Sequence, residues 1–272
     1  MVYRWGSRGV RTWFTGFEAA ALVYARFVEP RRPVLERRTL CFRDLPAGLD
    51  GLRIGQLTDL HLGFPYGYEN TRWAVERMVA EQPDLLVFTG DMVARRRCIP
   101  DLAGLLRPLQ ARLGMYSVPG NHDIWEGAGA VRDQLALVDI TTLLNRRQHV
   151  LWDDGELWIA GIDDMCYGQP DLEAAVVGIP EAAFTLLLAH APDIAPQSAE
   201  YRVDLQLSGH THGGQVDIPL IGPLTLPYHG LAYARGWFAI DQMQLYVSRG
   251  LGGLPMRLNC PPEATILTLR RG

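Results

Sequence analysis

Short apolar runs that alternate with amphipathic stretches constrain the fold of this chain more than any other feature of its sequence. Runs rich in Val, Ile and Leu are separated by segments whose apolar residues recur at helical spacing. This alternation is typical of an α/β domain in which helices cover the faces of a sheet. The predicted strands are residues 52–58, 85–89, 115–118, 157–161, 184–189, 205–208, 245–248 and 264–269, and the predicted helices are residues 71–81, 101–113 and 129–138.

The second half of the chain differs from the first in the spacing of its predicted strands. They follow one another more closely there, and residues 149–162 have the pattern of a β-hairpin that turns at residues 153–155. A mixed sheet, or two sheets packed together, accommodates this pattern better than a single parallel sheet does.

Five of the predicted strands end abruptly in Asp, Asn or His residues. In open α/β sheets, ligands bind outside the carboxyl ends of the strands, so we expect these side chains to meet at one site. In the Asp-x-His and His-x-His pairs, side chains two residues apart on extended chain point to the same side. The polar residues are Asp59 with His61, Asp91, Asn121 with His122 and Asp123, His190, and His210 with His212.

The chemical composition of this set predicts a metal centre. Two carboxylates in one crevice, Asp59 and Asp91, disfavour each other's charge unless a cation lies between them. Carboxylate, imidazole and amide ligands together suit Mn, Fe or Zn. A set of seven suits two divalent ions about 3.5–4 Å apart, the arrangement used for displacement at phosphorus. Gly90, Gly120 and Gly209 each precede a predicted ligand, where a missing side chain permits close approach. The predicted ligands are Asp59, His61, Asp91, Asn121, His190, His210 and His212.

The polar blocks resemble, in order and spacing, the five motifs of the calcineurin-like metallophosphoesterase superfamily. The blocks are Asp59-Leu60-His61, Gly90-Asp91, Gly120-Asn121-His122-Asp123, His190 and Gly209-His210-Thr211-His212. The resemblance implies a four-layer αββα sandwich of two mixed β-sheets flanked by helices. It also implies a hydrolase that cleaves a phosphodiester or pyrophosphate bond by attack of a metal-bound hydroxide.

The resemblance further implies a role for each matching residue. One ion would be held by Asp59, His61, Asp91 and His212, and the other by Asp91, Asn121, His190 and His210. Asp91 would therefore bridge the two ions. His122 would lie beside the scissile group, where it stabilises developing charge or protonates the leaving oxygen. Asp123 would orient His122.

A finer resemblance, to the YaeI- and YkuE-like bacterial phosphoesterases, rests on segments that extend beyond the five motifs. These segments are residues 45–54, 212–216, 246–252 and 261–263. That subgroup includes a UDP-2,3-diacylglucosamine pyrophosphatase of lipid A synthesis, so a lipid-linked or nucleotide-sugar substrate is the first hypothesis. A soluble phosphodiesterase of small or nucleic-acid diesters is the second. A non-catalytic scaffold with the same fold is the third.

The N-terminal segment is predicted to be a basic amphipathic arm (residues 1–38) that precedes the phosphoesterase domain (residues 39–272). The arm has eight Arg and three Glu, a net charge of +5, whereas the whole chain has a net charge of −4. Aromatic and aliphatic residues recur at helical steps between residues 13 and 28. This helix either packs on the domain or lies in a membrane interface. The uncharged segment 218–228 has the same two interpretations, a packed loop or a membrane contact.

The overall composition excludes some partners and compartments. A net negative charge argues against binding to duplex nucleic acid. The four cysteines show no CxxC spacing, which favours reduced thiols over a disulfide framework or a Cys-type zinc site. The arm is too short and too charged for a transmembrane helix, and it has no signal-peptide cleavage pattern. We therefore expect a cytoplasmic protein, either free or peripheral on the inner face of the membrane.

Overall fold

Two six-stranded β-sheets form the centre of the protein, as described by a computed structural model for residues 18–152 and 155–272. The strands are β1 (Val34–Phe42), β2 (Arg53–Leu57), β3 (Leu85–Phe88), β4 (Met115–Ser117), β5 (Ile140–Thr142), β6 (Arg146–Trp152), β7 (Gly155–Gly161), β8 (Phe184–Leu188), β9 (Leu205–Ser208), β10 (Asp217–Ile218), β11 (Gly222–Pro223), β12 (Gly236–Ile240), β13 (Met243–Val247) and β14 (Glu263–Arg271). The α-helices are α1 (Gly67–Glu81), α2 (Asp101–Leu106), α3 (Asn121–Glu126), α4 (Ala128–Ala136), α5 (Leu172–Val176) and α6 (Ala195–Glu200).

Both large sheets are mixed. The first sheet has the order β1-β14-β2-β3-β4-β5, with β2 to β5 parallel and β14 antiparallel to β2. The second has the order β12-β13-β9-β8-β7-β6, with a parallel centre and antiparallel pairs at both ends. The parallel centres are the part that matters for the site, because the carboxyl ends of parallel strands share one edge of a sheet. A separate small hairpin is formed by β10 and β11.

Apolar side chains form three layers that hold the sheets and helices together. Between the two sheets, Ile54 of the first packs in the same buried cluster as Leu186 of the second. On the outer face of the first sheet, Leu57 packs in a cluster with Met78 of α1, together with α2 and α4. Helices α5 and α6 cover the outer face of the second sheet. The predicted four-layer αββα sandwich is therefore confirmed.

The predicted helix 101–113 is shorter in the structure, where α2 ends at Leu106. The helix ends where Pro108 follows Arg107, because proline has no N–H group with which to continue the helical hydrogen bonds. Conversely, α1 begins at Gly67, four residues before the predicted start of its helix.

Strand β1 was not predicted. It lies at the edge of the first sheet, paired in parallel with β14, and the centre of its sequence is Glu36, Arg37, Arg38 and Thr39. Charged side chains are common on edge strands, where they oppose pairing with other chains, and they hide the strand pattern. The boundary predicted at residue 38 therefore falls inside β1, and a separate arm can extend only to the residues before Val34.

The described part of the predicted N-terminal helix packs on the domain. Residues 18–23 are α-helical and continue into a π-helical turn, Tyr24–Val28. The carbonyl of Ala25 accepts a hydrogen bond from the backbone N–H of Arg257 at 2.8 Å, and Glu29 accepts one from the N–H of Cys260. Residues 13–17 of this helix, like residues 153 and 154 of the predicted hairpin turn, lie outside the described residues. Within the described ranges, no helix is long and apolar enough to cross a membrane.

Candidate metal centre

The seven predicted ligands converge where the carboxyl ends of the two sheets meet. The first sheet supplies four of them after β2, β3 and β4, and the second supplies three after β8 and β9. Six of the seven are buried, and His212 is partly exposed. Because the sheets pack face to face, side chains far apart in sequence come into contact there. The seven are Asp59, His61, Asp91, Asn121, His190, His210 and His212.

Asp91 lies at the centre of this cluster. Its Oδ2 is 3.4 Å from Nε2 of His61 and 3.3 Å from Nε2 of His190. Asp59 approaches from the other side, with its Oδ1 at 3.5 Å from Nε2 of His212. Three sets of ligand atoms each fit within 4.8 Å: Asp59 with His61 and His212, Asp91 with His61 and His122, and Asp59 with Asp91 and His190. Asp91 thus lies near predicted ligands of both ions, and its bridging role stays a prediction.

Hydrogen bonds to carbonyl oxygens fix which nitrogen of two histidines is free. His190 Nδ1 lies 2.6 Å from the carbonyl of Thr89, and His210 Nε2 lies 2.8 Å from the carbonyl of Tyr228. A carbonyl only accepts, so each of these nitrogens carries the proton and donates. The other nitrogens, His190 Nε2 and His210 Nδ1, face each other at 3.2 Å. A proton on His190 Nε2 can bridge these two nitrogens in the metal-free protein, and a metal ion that replaced the proton could bind both nitrogens as a pair of ligands.

The spacing of the donor atoms fits a divalent ion. Nitrogen or oxygen ligands bonded at about 2.0–2.2 Å to one ion lie roughly 3.0–3.4 Å apart. His61 Nε2 and His212 Nε2 are separated by 3.2 Å, as are the nitrogens of His190 and His210. Asn121 Oδ1 is buried and has no hydrogen-bond partner among the described residues, so it is free to serve as a ligand.

The protonation states also suit metal binding. Burial lowers the pKa of His61 to about 3 and that of His210 to about 4, so both imidazoles are neutral at pH 7 and can bind metal. Burial also opposes charge on Asp91 and His190, but their mutual attraction prevails. The Asp91 carboxylate raises the pKa of His190 to about 10, and the His190 charge holds the pKa of Asp91 well below its usual range. The carboxylate of Asp91 is thus ionised beside a positive charge, which the proton of His190 supplies here and which a bound metal ion could supply in its place.

Five of the ligands have left-handed backbone conformations. This is uncommon for residues other than glycine and costs on the order of 1–3 kcal/mol each. The expectation of extended chain at the Asp-x-His and His-x-His pairs is therefore wrong, because the chain turns sharply at each strand end. Hydrogen bonds between neighbouring loops hold the turns, such as those from the N–H groups of Asp59 and His61 to the carbonyls of Gly90 and Asp91. The positive φ angles are 52° at Asp59, 45° at His61, 55° at Asp91, 68° at His210 and 52° at His212.

Two glycines allow the loops to approach the carboxylates. A Cβ on Gly120 would overlap Oδ1 of Asp91, and a Cβ on Gly209 would overlap Oδ2 of Asp59. Both contacts would involve buried ligands that cannot move without leaving the site. The prediction that glycines permit close approach here is confirmed.

His122 lies at the mouth of the cluster, partly exposed, with its ring centroid 4.6 Å from that of His61. Its backbone N–H donates to Oδ1 of Asp91 at 2.8 Å. His122 is therefore close enough to the predicted metal ligands to contact a bound phosphoryl group. Its position agrees with the role that the sequence resemblance implies.

Asp123 has a different role from the predicted one. Its Oδ1 accepts hydrogen bonds from the N–H groups of Met92 and Val93 at 2.8 and 3.3 Å, and its Oδ2 accepts one from Gly120 at 3.1 Å. These contacts tie the loop after β3 to the loop after β4, with Asp91 between them. Asp123 is thus a positioning residue for a ligand loop, rather than the residue that orients the His122 ring.

Replacement of Asp123 by Ala should weaken metal binding by on the order of 10–100-fold, as is usual when a partner of a ligand is lost. Three buried N–H groups would lose their acceptor, and the Asp91 loop would lose its attachment. Titration calorimetry with Mn²⁺ measures the effect, and Asp123→Asn, which keeps one acceptor oxygen, should show a smaller loss. Unchanged affinity with a shifted pH–rate profile would instead support the orientation of His122.

One carboxylate near the site is not among the predicted residues. Asp164 follows the end of β7 and is buried; its Oδ2 accepts hydrogen bonds from the N–H groups of Cys166 and Tyr167. Its Oδ1 has no partner among the described residues. Burial raises the pKa of Asp164, although the nearby His190 opposes the shift. The sequence signal for this residue is an Asp that follows a further parallel strand. His149, on β6, stacks on Trp158 outside the site.

A cavity of about 330 Å³ opens directly above the ligands. Its floor includes several of the ligands, and its walls are largely apolar. One wall is formed by Phe64 and Trp125. The loop before β12 contributes Pro227, and the loop after β13 contributes Leu254. The site can therefore receive a phosphate group that is attached to an apolar or aromatic body.

Comparison with known proteins agrees with the geometry of the site. The model of the calcineurin-like phosphoesterase family matches residues 52–214. The uncharacterised metallophosphoesterase YkuE of Bacillus subtilis is 35% identical over 258 residues, 91% of this chain and 89% of YkuE. The phosphodiesterase YaeI of Escherichia coli is 30% identical over 254 residues, 90% of this chain and 92% of YaeI.

Solved structures share the fold. A 5'-nucleotidase precursor from Thermus thermophilus superposes with a TM-score of 0.50 over 80% of this chain and 54% of that chain, at 14% identity. At such low identity the likeness concerns the fold alone. The family match, the two relatives and the convergence of the motif residues lead to one conclusion: the chain belongs to the calcineurin-like metallophosphoesterase family, in the YaeI/YkuE-like subgroup, and is a metal-dependent phosphoester hydrolase.

Proposed function

We propose that the protein hydrolyses a phosphodiester or pyrophosphate bond in a lipid-linked or nucleotide-sugar substrate such as UDP-2,3-diacylglucosamine. The observation that carries the proposal is the cavity itself, which has ionisable ligands on its floor and apolar walls at Phe64, Trp125, Pro227 and Leu254. The metal ligands on the floor of the cavity suit a phosphate group. An acyl chain that packs against the apolar walls gains about 0.8 kcal/mol for each CH₂ group that it buries.

Two divalent ions of Mn, Fe or Zn, when bound, would neutralise phosphate charge and lower the pKa of water. The residues of the chain then position the reacting groups. Asp91 would hold both ions, and its Oδ1 also accepts from the His122 N–H. Burial lowers the pKa of the His122 side chain, so its imidazole is neutral at pH 7. A neutral imidazole donates a hydrogen bond to developing negative charge, which favours charge stabilisation over full proton transfer for His122.

The test is a comparison of substrates with and without acyl chains. With added Mn²⁺, the purified protein should hydrolyse bis(p-nitrophenyl) phosphate and lose this activity in EDTA. The kcat/KM for UDP-2,3-diacylglucosamine should exceed that for UDP-N-acetylglucosamine by at least about tenfold, because about two buried CH₂ groups supply that much. Equal values for the two nucleotide sugars would refute the lipid-linked assignment and leave the phosphodiesterase activity.

A second candidate function is hydrolysis of nucleotide or nucleic-acid diesters without a lipid. It is supported by two exposed aromatic side chains beside His122. The Trp125 ring lies 4.7 Å from the His122 ring and 4.8 Å from the Tyr167 ring, and both Trp125 and Tyr167 are more than half exposed. Exposed rings of this kind stack on bases, at about 1–3 kcal/mol per base. Higher kcat/KM on cyclic nucleotides or single-stranded DNA than on acylated sugars would favour this function.

The third hypothesis, a non-catalytic scaffold, disagrees with the family match and with the similarity to a phosphodiesterase. The convergence of all seven predicted ligands also weighs against it, because buried carboxylates are costly to keep without a cation.

A further inference from the structure

Exposed aliphatic and aromatic side chains cluster on three segments around the cavity. Leu220 is fully exposed at the tip of the β10–β11 hairpin, and Ile221 beside it is 72% exposed. Single exposed apolar residues are normal, but contiguous ones mark interaction surfaces. We call the set the apolar rim: Leu22, Val23 and Phe27 of the N-terminal helix, Leu220, Ile221 and Leu224 of the hairpin, and Leu254 and Met256 of the loop after β13.

Hydrogen bonds place the three segments of the rim side by side. The N–H of Asp217, at the base of the hairpin, donates to the carbonyl of Leu258 at 2.9 Å. The N–H of Arg257, the residue before Leu258, donates to the carbonyl of Ala25 in the N-terminal helix at 2.8 Å. The loop that carries Leu254 and Met256 thus lies between the hairpin and the helix, and the rim is continuous.

The rim is also part of the wall of the metal centre. Leu254 lines the cavity, and so do Thr225 and Pro227, which directly follow the hairpin. The carbonyl of Tyr228, in the same segment, accepts the hydrogen bond that orients His210. Whatever the rim contacts therefore lies next to the mouth of the site.

Charge indicates the chemistry of the occupant. Residues 1–17 precede this helix in the sequence, and they contain three Arg and no Asp or Glu. Their aromatic residues include Trp5, Trp13, Phe14 and Phe17. Within the described residues, Arg31 and Arg32 are exposed a few positions after Phe27 of the rim, whereas the chain as a whole has a net charge of −4. Trp and Phe together with Arg on one segment is the composition of interfacial membrane anchors that bind anionic lipid.

We propose that the apolar rim docks on the surface of an anionic lipid bilayer, with the exposed side chains of Arg31 and Arg32 contacting the head groups, so that the mouth of the metal centre faces the lipid. This deepens the proposed function, because a lipid-linked phosphoester would enter the cavity from the bilayer across Leu254 and Pro227. The docking itself requires no turnover and is measured without it.

Sedimentation with vesicles tests the proposal on the full chain. Vesicles of phosphatidylglycerol and phosphatidylcholine should carry the protein down, and vesicles of phosphatidylcholine alone should carry much less. The double variant Leu220→Glu/Leu224→Glu keeps residues 1–38 and the whole metal centre but places two charges on the rim. We expect at least a tenfold loss of its vesicle partition coefficient, because each buried Leu contributes about 1.5–3 kcal/mol.

The matched control is Leu137→Glu/Leu151→Glu. Both side chains are 67% exposed; Leu137 directly follows α4 and Leu151 lies on β6, and neither belongs to the rim. Its vesicle binding should equal that of the wild type. Both double variants should hydrolyse bis(p-nitrophenyl) phosphate at the wild-type rate, which shows that they are folded and keeps this test separate from the test of activity.

Three outcomes would overturn the proposal. The first is a wild-type protein that does not sediment with either kind of vesicle. The second is a rim variant that binds as well as its control. The third is a wild-type protein that forms dimers by light scattering, does not bind vesicles and becomes monomeric in the rim variant, which would assign the rim to contact between two copies of this chain. If the wild-type protein does not hydrolyse bis(p-nitrophenyl) phosphate, the proposed function is contradicted. Vesicle binding would still be judged by the sedimentation result alone.

Discussion

Asp91→Asn should lower the turnover of bis(p-nitrophenyl) phosphate in Mn²⁺ by on the order of 10³-fold, the loss usual for a group that acts directly on transition-state charge. Asp91 contacts His61 and His190 through one carboxylate oxygen and the His122 N–H through the other. An amide keeps the shape of the side chain but removes its charge and one acceptor. The effect should therefore appear in metal content as well as in rate.

Control measurements separate loss of chemistry from loss of fold. Asp133→Asn changes an exposed carboxylate on α4 and should leave the rate unchanged. The metal-free Asp91→Asn protein should have a lower thermal midpoint than the metal-free wild type, because His190 loses its buried carboxylate partner. Circular dichroism at 25 °C is therefore the measurement that shows whether the variant is folded. A variant with more than a tenth of the wild-type rate and full metal content would show that Asp91 does not bridge two ions.

The layered fold and the ligand set were predictable from sequence because both rest on local patterns. Apolar runs predicted the central strands, and an abrupt change to Asp, Asn or His predicted where each strand meets the site. The family resemblance groups ligands that lie up to 153 positions apart, from Asp59 to His212. The structure brings these residues together at one site.

Features that depend on contacts between distant segments were not predictable. Strand β1 has too many charged residues for a strand pattern, and only its pairing with β14 reveals it. The left-handed turn at Asp59 depends on the neighbouring loop, whose Gly90 carbonyl accepts the Asp59 N–H. Asp123 follows His122 in sequence, which suggested a contact with its ring, whereas the fold turns the carboxylate towards Met92.

Arg257 is the clearest example of a residue whose role depends on contacts between distant segments, because an arginine is normally expected on the surface. Its side chain is 1% exposed, and the guanidinium donates hydrogen bonds to the carbonyls of Arg249, Gly250, Gly252 and Cys260. The loop held in this way also contacts the site directly, since the Gly252 N–H donates to the carbonyl of Asp59 at 2.6 Å. Arg257 thus stabilises the loop that supports a strained metal ligand.

Arg257→Met should reduce the free energy of unfolding by about 3–5 kcal/mol, because several buried carbonyls would lose their donor at a cost of about 1–3 kcal/mol each. For a domain of this size the thermal midpoint should fall by roughly 10 °C. Urea denaturation of the metal-free protein measures the change. Arg132→Met, at an exposed side chain on α4, should stay within about 0.5 kcal/mol of the wild type.

Arg257→Lys distinguishes the charge of Arg257 from the geometry of its hydrogen bonds. Lysine keeps the positive charge but donates from one nitrogen, so it cannot reach carbonyls on both sides of the loop as the guanidinium does. We expect a loss of stability close to that of Arg257→Met, together with weaker Mn²⁺ binding, because the Asp59 turn would lose its support. If Arg257→Met is as stable as the wild type, apolar packing can replace the buried cation, as it does at some buried ion pairs.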